Sequence, residues 1–292
     1  MKIKLIIYLM GSIPISIRRA IVFFMARLFY YLSLKHRLIA IHNLMRSFPG
    51  KSLEEIISIA KESYLSVALV LVEFYDIPSL NKKNLNRLIT IKGLDNYTKA
   101  CNEGKGVLLF GAHFGNWELG NAALAILTRP LSFVYRILDS RLLEGIITNV
   151  RASCGNTSLP KENAMRQMIR LLKKDTTISI LIDQNVAWYG GVFVDFFGRK
   201  ACTTSGLALL ALHTGAPVLP FFTSRLADGK YLLEIGMEVD IIRSENRESD
   251  ILINTQNFNN ILEEHIRQYP EQWFWVHQRW KTKLCQVKQR GY

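Results

Sequence analysis

The chain has 292 residues, long enough for one large domain or two small ones with an ample core. A hydrophobic share of 49% and a mean hydropathy of +0.11 are high for a soluble enzyme, yet too low for a polytopic membrane protein. The net charge of +13 is concentrated at the ends: residues 1–53 carry nine Lys/Arg and no acid, residues 277–292 five more and no acid, and 54–276 is balanced at 23 basic to 24 acidic. The N-terminal cations are interleaved with apolar runs, which suits an anionic membrane surface. No basic stripe or set of aromatic-bearing strands of the kind that reads nucleic acid is present, so no nucleic-acid partner is expected.

Met1 to Ile17 is largely apolar, Arg18 and Arg19 interrupt it, and Ala20 to Leu34 is broken only by Arg27. Neither run reaches the ~20 apolar residues of a single span, and Gly11 and Pro14 break the first one further. Residues 1–35 therefore read as one or two helices lying in, or dipping into, a membrane interface; the other reading is a buried N-terminal hairpin of a globular domain. Lys2 and Lys4 would suit a signal peptide, but no small-x-small cleavage site follows. The organisation expected is a membrane-associated segment, 1–35, and a catalytic domain, 36–292. Residues 36–80 read as helical, and Ser52-Leu-Glu-Glu55 is a capping box that opens a helix running towards Tyr75, ended by Pro78. Asn81 to Asn86 reads as a polar linker and Leu88 to Ile91 as an edge strand.

The most informative stretch is Gly104-Lys-Gly-Val-Leu-Leu-Phe-Gly-Ala-His113-Phe-Gly-Asn-Trp-Glu118-Leu-Gly120. Val107 to Phe110 is a short apolar run between glycines and predicts a buried strand; Asn116 to Leu127 predicts the helix that follows. His113 then lies in the turn leaving the carboxyl end of a strand, where open α/β sheets place their sites. An imidazole titrates near neutrality and can take a proton from a hydroxyl. Glu118, five residues on and in the first helical turn, is placed to fix its tautomer. Free N–H groups at the helix start suit a developing oxyanion.

Leu131 to Tyr135 predicts a second strand with Arg136 at its end, and Asp139 to Ser153 a helix. Arg136 at that position can meet an acceptor phosphate or a thioester oxygen, or pair at the surface with Asp139. Gly155 to Pro160 leads into a further strand position, and Glu162 to Lys174 has the amphipathic pattern of a crossover helix. Thr177 to Ile182 predicts a third strand, ending in Asp183-Gln184. Thr203 and Gly206 open a helix over Leu207 to His213, where N–H groups can meet a phosphate. Pro217 to Phe222 and Tyr231 to Ile235 predict two more strands, and Asp250 to Tyr269 the last helix. A Ser205–His213 hydrolase pair is disfavoured, because Gly-x-Ser-x-Gly is absent and both residues lie on one helix. Cys101, Cys154, Cys202 and Cys285 are scattered, so neither a metal site nor a disulfide framework is indicated. Alternating strands and helices from residue 88 onward predict an α/β, three-layer αβα architecture.

Several of these blocks carry a resemblance. Gly-Ala-His113-Phe-Gly-Asn-Trp-Glu118 resembles the His-x4-Glu signature of the bacterial late lipid A acyltransferases, within the lysophospholipid acyltransferase superfamily. Glycerolipid members usually carry Asp in place of Glu118. Asn43-Leu with Phe48-Pro49, Tyr135-Arg136 with Asp139, Asp183-Gln184, the block from Gly190 to Gly206, and Pro270-Glu-Gln-Trp with His277-Gln-Arg279-Trp-Lys281 are similar to the family's other stretches. His42 stands where the family carries Arg, and Asp195 where it carries Pro.

The resemblance implies an acyltransferase fold anchored to the bacterial inner membrane by its N-terminal part, and the scattered cysteines make a catalytic domain facing the cytoplasm the expected placement. The resemblance also implies transfer from an acyl-carrier-protein thioester, or acyl-CoA, to a hydroxyl of a lipid A precursor; the mechanism expected from the residues is direct transfer, with no covalent intermediate and no cofactor. His113, Glu118 and Arg136 would be catalytic; Asn116, Asp183, Gln184, Thr203 and Arg279 would bind substrate. His277, on an aromatic run, reads as a core residue. The same chemistry on a lysophospholipid, glycolipid or aminolipid, and a non-catalytic membrane-surface role, stay open from sequence.

Overall fold

The computed structural model describes residues 2–162 and 164–284; Cys285 and the last cations of the tail lie outside the described residues. Four helices come first: α1 (Lys2–Ser12), α2 (Ile15–Leu32), α3 (Leu34–Ser47) and α4 (Leu53–Phe74). The Ser52 capping box opens α4 with both of its reciprocal hydrogen bonds in place. There follow α5 (Lys82–Leu88), β1 (Ile89–Lys92), α6 (Leu94–Cys101), β2 (Val107–Gly111), α7 (Trp117–Leu127), β3 (Leu131–Tyr135), α8 (Arg141–Ala152), β4 (Thr157–Pro160), α9 (Ala164–Leu172) and β5 (Thr177–Leu181). The chain then forms β6 (Gly191–Phe196), β7 (Arg199–Thr204), α10 (Gly206–Thr214), β8 (Val218–Arg225), β9 (Tyr231–Ile235) and α11 (Arg247–Gln268).

Seven strands form one sheet in the order β1-β9-β8-β2-β5-β3-β4. Neighbours run parallel except β8 and β9, so β1 and β9 run against the other five. Strand alternation fills both faces. Leu108 and Phe110 of β2 join one core with α9, α10, α11 and the two buried tryptophans Trp273 and Trp275. Val107 and Leu109 join the other with α5, α6 and α7. The expected α/β arrangement of a largely parallel sheet between helices is what the chain forms.

Two segments differ from expectation. The polar Asn81–Asn86 stretch is not a linker: Asn81 caps α5 by accepting from the Lys83 and Asn84 N–H groups, and a single buried residue, Leu85, anchors that helix. The block after Asp183 is an antiparallel hairpin, β6 with β7, turning at Phe197 and Gly198, both at positive φ (52° and 67°). Positive φ at both central residues is the hairpin turn whose twist matches the strands. Asp195 belongs to this hairpin, and its N–H donates to Gln256 Oε1 at 2.7 Å, a bond that proline could not make.

The N-terminal helices invert the usual polarity. Arg18 is 5% exposed, donating to the carbonyls of Ile13 and Val72 and to Asp76, while Arg19 reaches Glu73 at 3.0 Å. Leu5, Leu9, Ile17, Phe24, Leu28 and Leu32 face outward. Among the described residues no single helix is long and apolar enough to cross a membrane; Ile3–Ser12 and Ile15–Leu32, bent by 97°, meet that criterion only as a pair.

Candidate active site

β2 and β5 are neighbours, and their register pairs Gly111 with Leu181. Two residues further along each strand stand His113 and Asp183, so parallel pairing alone brings them together. His113 Nδ1 lies 2.9 Å from Asp183 Oδ1, and the His113 N–H donates to Asp183 Oδ2 at 3.0 Å. Trp273 Nε1 donates to the same Oδ2 at 2.8 Å. Asp183 is 2% exposed. Burial alone would raise its pKa, but the His113 ring and these N–H donors outweigh it and hold the carboxyl at about 2. Burial works against a charged His113 ring too, and the Asp183 carboxylate overcomes it, so the His113 pKa is raised. An ionised Asp183 accepts from Nδ1–H and leaves Nε2 of the neutral ring as an acceptor, facing the cleft and taking the Gln184 amide N–H at 3.4 Å.

The turn carrying His113 is fixed by backbone contacts. Gly115 has φ of 53°, its N–H donates to the Gln272 carbonyl, and an added Cβ would collide with the Thr223 carbonyl. Next, Asn116 caps α7 by accepting from the Leu119 N–H.

The partner of the His113 ring is thus Asp183, not Glu118 as the five-residue spacing suggested. Glu118 sits on the first turn of α7 and turns to α8, where Arg151 grips both its oxygens, Nη2 at 2.6 Å and Nε at 3.1 Å. The Trp117 indole adds a third donor at 3.2 Å. Arg151 is itself stacked over Phe133, 4.6 Å from the ring centroid, and its Nη1 is buried with no hydrogen-bond partner.

His113, Trp117, Glu118, Arg136, Arg151 and Gln184 share one cleft of about 690 Å³, with Phe133, Val134, Ile147 and Ile182 among its apolar wall residues. It therefore offers a base, cations and an apolar surface together. Arg136 stands at the rim, its side chain 71% exposed and only 3.9 Å from Asp139.

Of the five expected substrate contacts only Gln184 lines the cleft: Asp183 is given to the His113 ring, and three others are placed elsewhere. Asn116 is 1% exposed, and its amide nitrogen donates to Glu73. Thr203 and Arg279 are both fully buried and bond each other; Arg279 also donates to the Cys202 carbonyl and Thr203 accepts from Asn259. These three hold the fold around the cleft, because the capping position and the hairpin face inward. Two of the N–H groups at the helix starts are also taken: Asn116 N donates to Thr223 O, and Gly206 N to Thr204 Oγ1.

Sequence reading missed Arg151 and Trp273, which no local spacing links to His113. It also placed His277 in the core. In the structure His277 lines the cleft, and its Nε2 accepts the Asn185 N–H at 2.8 Å, so a neutral ring carries its proton on Nδ1. Burial holds its pKa below the usual histidine value. Among the described residues, no group of three or more His, Cys, Asp or Glu side chains is arranged to hold a metal.

Comparison with known proteins converges on one chemistry. The model of the bacterial lipid A biosynthesis acyltransferase family matches residues 4–282. The chain is 30% identical to the lipid A biosynthesis palmitoleoyltransferase of Escherichia coli over 247 residues, covering 84% of this chain and 78% of that protein. It is 28% identical to the lipid A biosynthesis lauroyltransferase of the same organism, covering 86% and 81%. A phosphatidylinositol mannoside acyltransferase of Mycolicibacterium smegmatis is 25% identical, covering 77% and 73%. With a cleft suited to proton abstraction and a family match across nearly its whole length, the chain belongs to the bacterial lipid A biosynthesis acyltransferases and is an enzyme that transfers an acyl group to a lipid acceptor.

Proposed function

We propose that this enzyme works at the cytoplasmic face of the bacterial inner membrane, moving a fatty acyl chain from an acyl-carrier-protein thioester to a hydroxyl of a lipid A precursor. The observation that carries the chemistry is the His113–Asp183 pair at the foot of the cleft. With Nδ1–H held by Asp183, Nε2 takes the proton of the acceptor hydroxyl. The alkoxide oxygen attacks the thioester carbonyl, the acyl C–S bond breaks, and the thiolate leaves, taking the proton from the imidazolium. Arg136 at the rim faces the negative charge that develops on the carbonyl oxygen. Glu118 acts at one remove: it fixes Arg151, whose guanidinium packs on Phe133 and forms part of the cleft wall.

Membrane association is supported by the outward apolar residues of α1 and α2. They continue to the cleft entrance, where Ile137, Leu138, Leu142 and Leu143 are exposed and Ile3 of α1 packs against Gly145 of α8. An acidic carrier protein would be steered by the basic ends of the chain, an effect weakened by salt. The similarity to a phosphatidylinositol mannoside acyltransferase favours a glycolipid acceptor as the second reading.

The test is to incubate membranes containing the protein, or its H113A variant, with labelled acyl-carrier-protein thioester and a tetra-acylated lipid A precursor. His113-dependent label in the precursor is the expected result. Label entering only endogenous glycolipid would transfer the assignment to the second reading; no His113-dependent transfer by folded protein would refute the mechanism.

A further inference from the structure

Away from the cleft, α3, the β6–β7 turn and the segment from Gln278 onward border a second, open pocket of about 640 Å³. Arg46, Arg199, Lys200 and Lys281 line it, with Leu38 and Trp280. Lys200 pairs with Asp195 at 3.0 Å, but among the described residues Arg46, Arg199 and Lys281 have no carboxylate partner. Arg199 is held in place: its guanidinium lies 3.4 Å from the Trp280 ring centroid, and Nη2 reaches Ser47 Oγ at 3.3 Å. Arg199 Nε and Trp280 Nε1 are both buried donors without an acceptor. Burial, and next the charge of Arg46, lower the Arg199 pKa to about 10, a strain that a bound anion would relieve.

We propose that this pocket binds the phosphate of an anionic lipid headgroup, at a site separate from the catalytic cleft. Phosphate chemistry follows from converging cations with a stacked, pre-oriented arginine. A lipid source follows from the pocket's border: Leu34, Leu38 and Met45 on α3 are exposed and continue the outward apolar face of α2. A headgroup in the pocket can therefore keep its acyl chains on an apolar surface. The wall towards the cleft is firm, because Asn43 Nδ2 donates to the carbonyls of Trp275 and His277. The site rests on the membrane-surface part of the proposed function and is independent of the acyl-transfer chemistry.

The experiment is sedimentation of the full chain with phosphatidylcholine vesicles and with phosphatidylcholine/phosphatidylglycerol vesicles. It uses R46Q/K281Q, two exposed positions that leave the Arg199 stack intact, and K82Q/K83Q on α5, which removes the same charge elsewhere. Affinity for the phosphatidylglycerol vesicles is expected to fall about tenfold in R46Q/K281Q and less than about twofold in K82Q/K83Q, with phosphatidylcholine binding unchanged in both. Equal losses in the two variants, or none, would overturn the site while leaving membrane binding intact. Absence of binding to either vesicle would overturn it together with the membrane reading. Two further arms separate the sources: calorimetry with inorganic phosphate, and binding of an acidic carrier protein. If Arg46 and Lys281 matter in either of those arms but not for vesicles, the lipid assignment fails.

Discussion

On the β5 side of the cleft Asp183 is 2% exposed, accepts from the His113 ring, the His113 N–H and Trp273, and has its pKa held at about 2. On the α7 side Glu118 is 9% exposed and is also fully bonded, but its donors are Arg151 and Trp117. Both carboxylates line or underlie the same cleft, and only one of them touches the imidazole. Burial and hydrogen bonding do not separate a carboxylate that tunes a base from one that holds a wall. The identity of the donor does: a titrating ring on one side, a permanently charged guanidinium on the other.

That contrast predicts a ranking. H113A removes the base and should lower kcat by about 10³-fold, measured as thioester-dependent acylation. D183N keeps the shape of the buried side chain while removing its charge. It should cost about 10²-fold with the melting temperature still high enough for assay; a loss under tenfold in folded protein would break the distinction between the two carboxylates. E118Q loosens Arg151 without touching His113, and a drop of about tenfold is expected, divided between kcat and KM. R136Q, at an exposed rim, should lower kcat/KM by roughly threefold to fivefold, mainly through kcat, consistent with the modest value of exposed charges. If R136Q instead cost as much as D183N, the rim arginine would be the main oxyanion partner rather than a contributor.

Much of the sheet was legible. Leu131–Tyr135 and Tyr231–Ile235 form the strands their patterns predict, and the turn after Val107–Phe110 does carry His113 to the end of a buried strand. Asp183 was recognisable as a residue at a second strand end. What the sequence could not convey is strand order: Asp183 becomes the histidine's partner only because β5 lies next to β2 with Gly111 opposite Leu181. Spacing along one chain pointed to Glu118, since a helix face is local, while Arg151, which claims Glu118, comes from α8. Asn116, Thr203 and Arg279 were illegible for a related reason. Their polar chemistry suggested a ligand, and burial in the structure gives each of them to its own scaffold. The α5 helix was missed because its stabilisation is almost wholly capping, with a single buried side chain.

The most direct measurement is the pH dependence of kcat/KM for wild type, D183N and E118Q. A general base must be unprotonated, so the rate should climb as pH rises through the raised His113 pKa. Asp183 is the largest source of that elevation and Glu118 a smaller one. The rising limb should therefore move clearly to lower pH in D183N, with a reduced plateau, and move less in E118Q. A limb that shifts in E118Q and stays in place in D183N would contradict the account and return the partnership to Glu118.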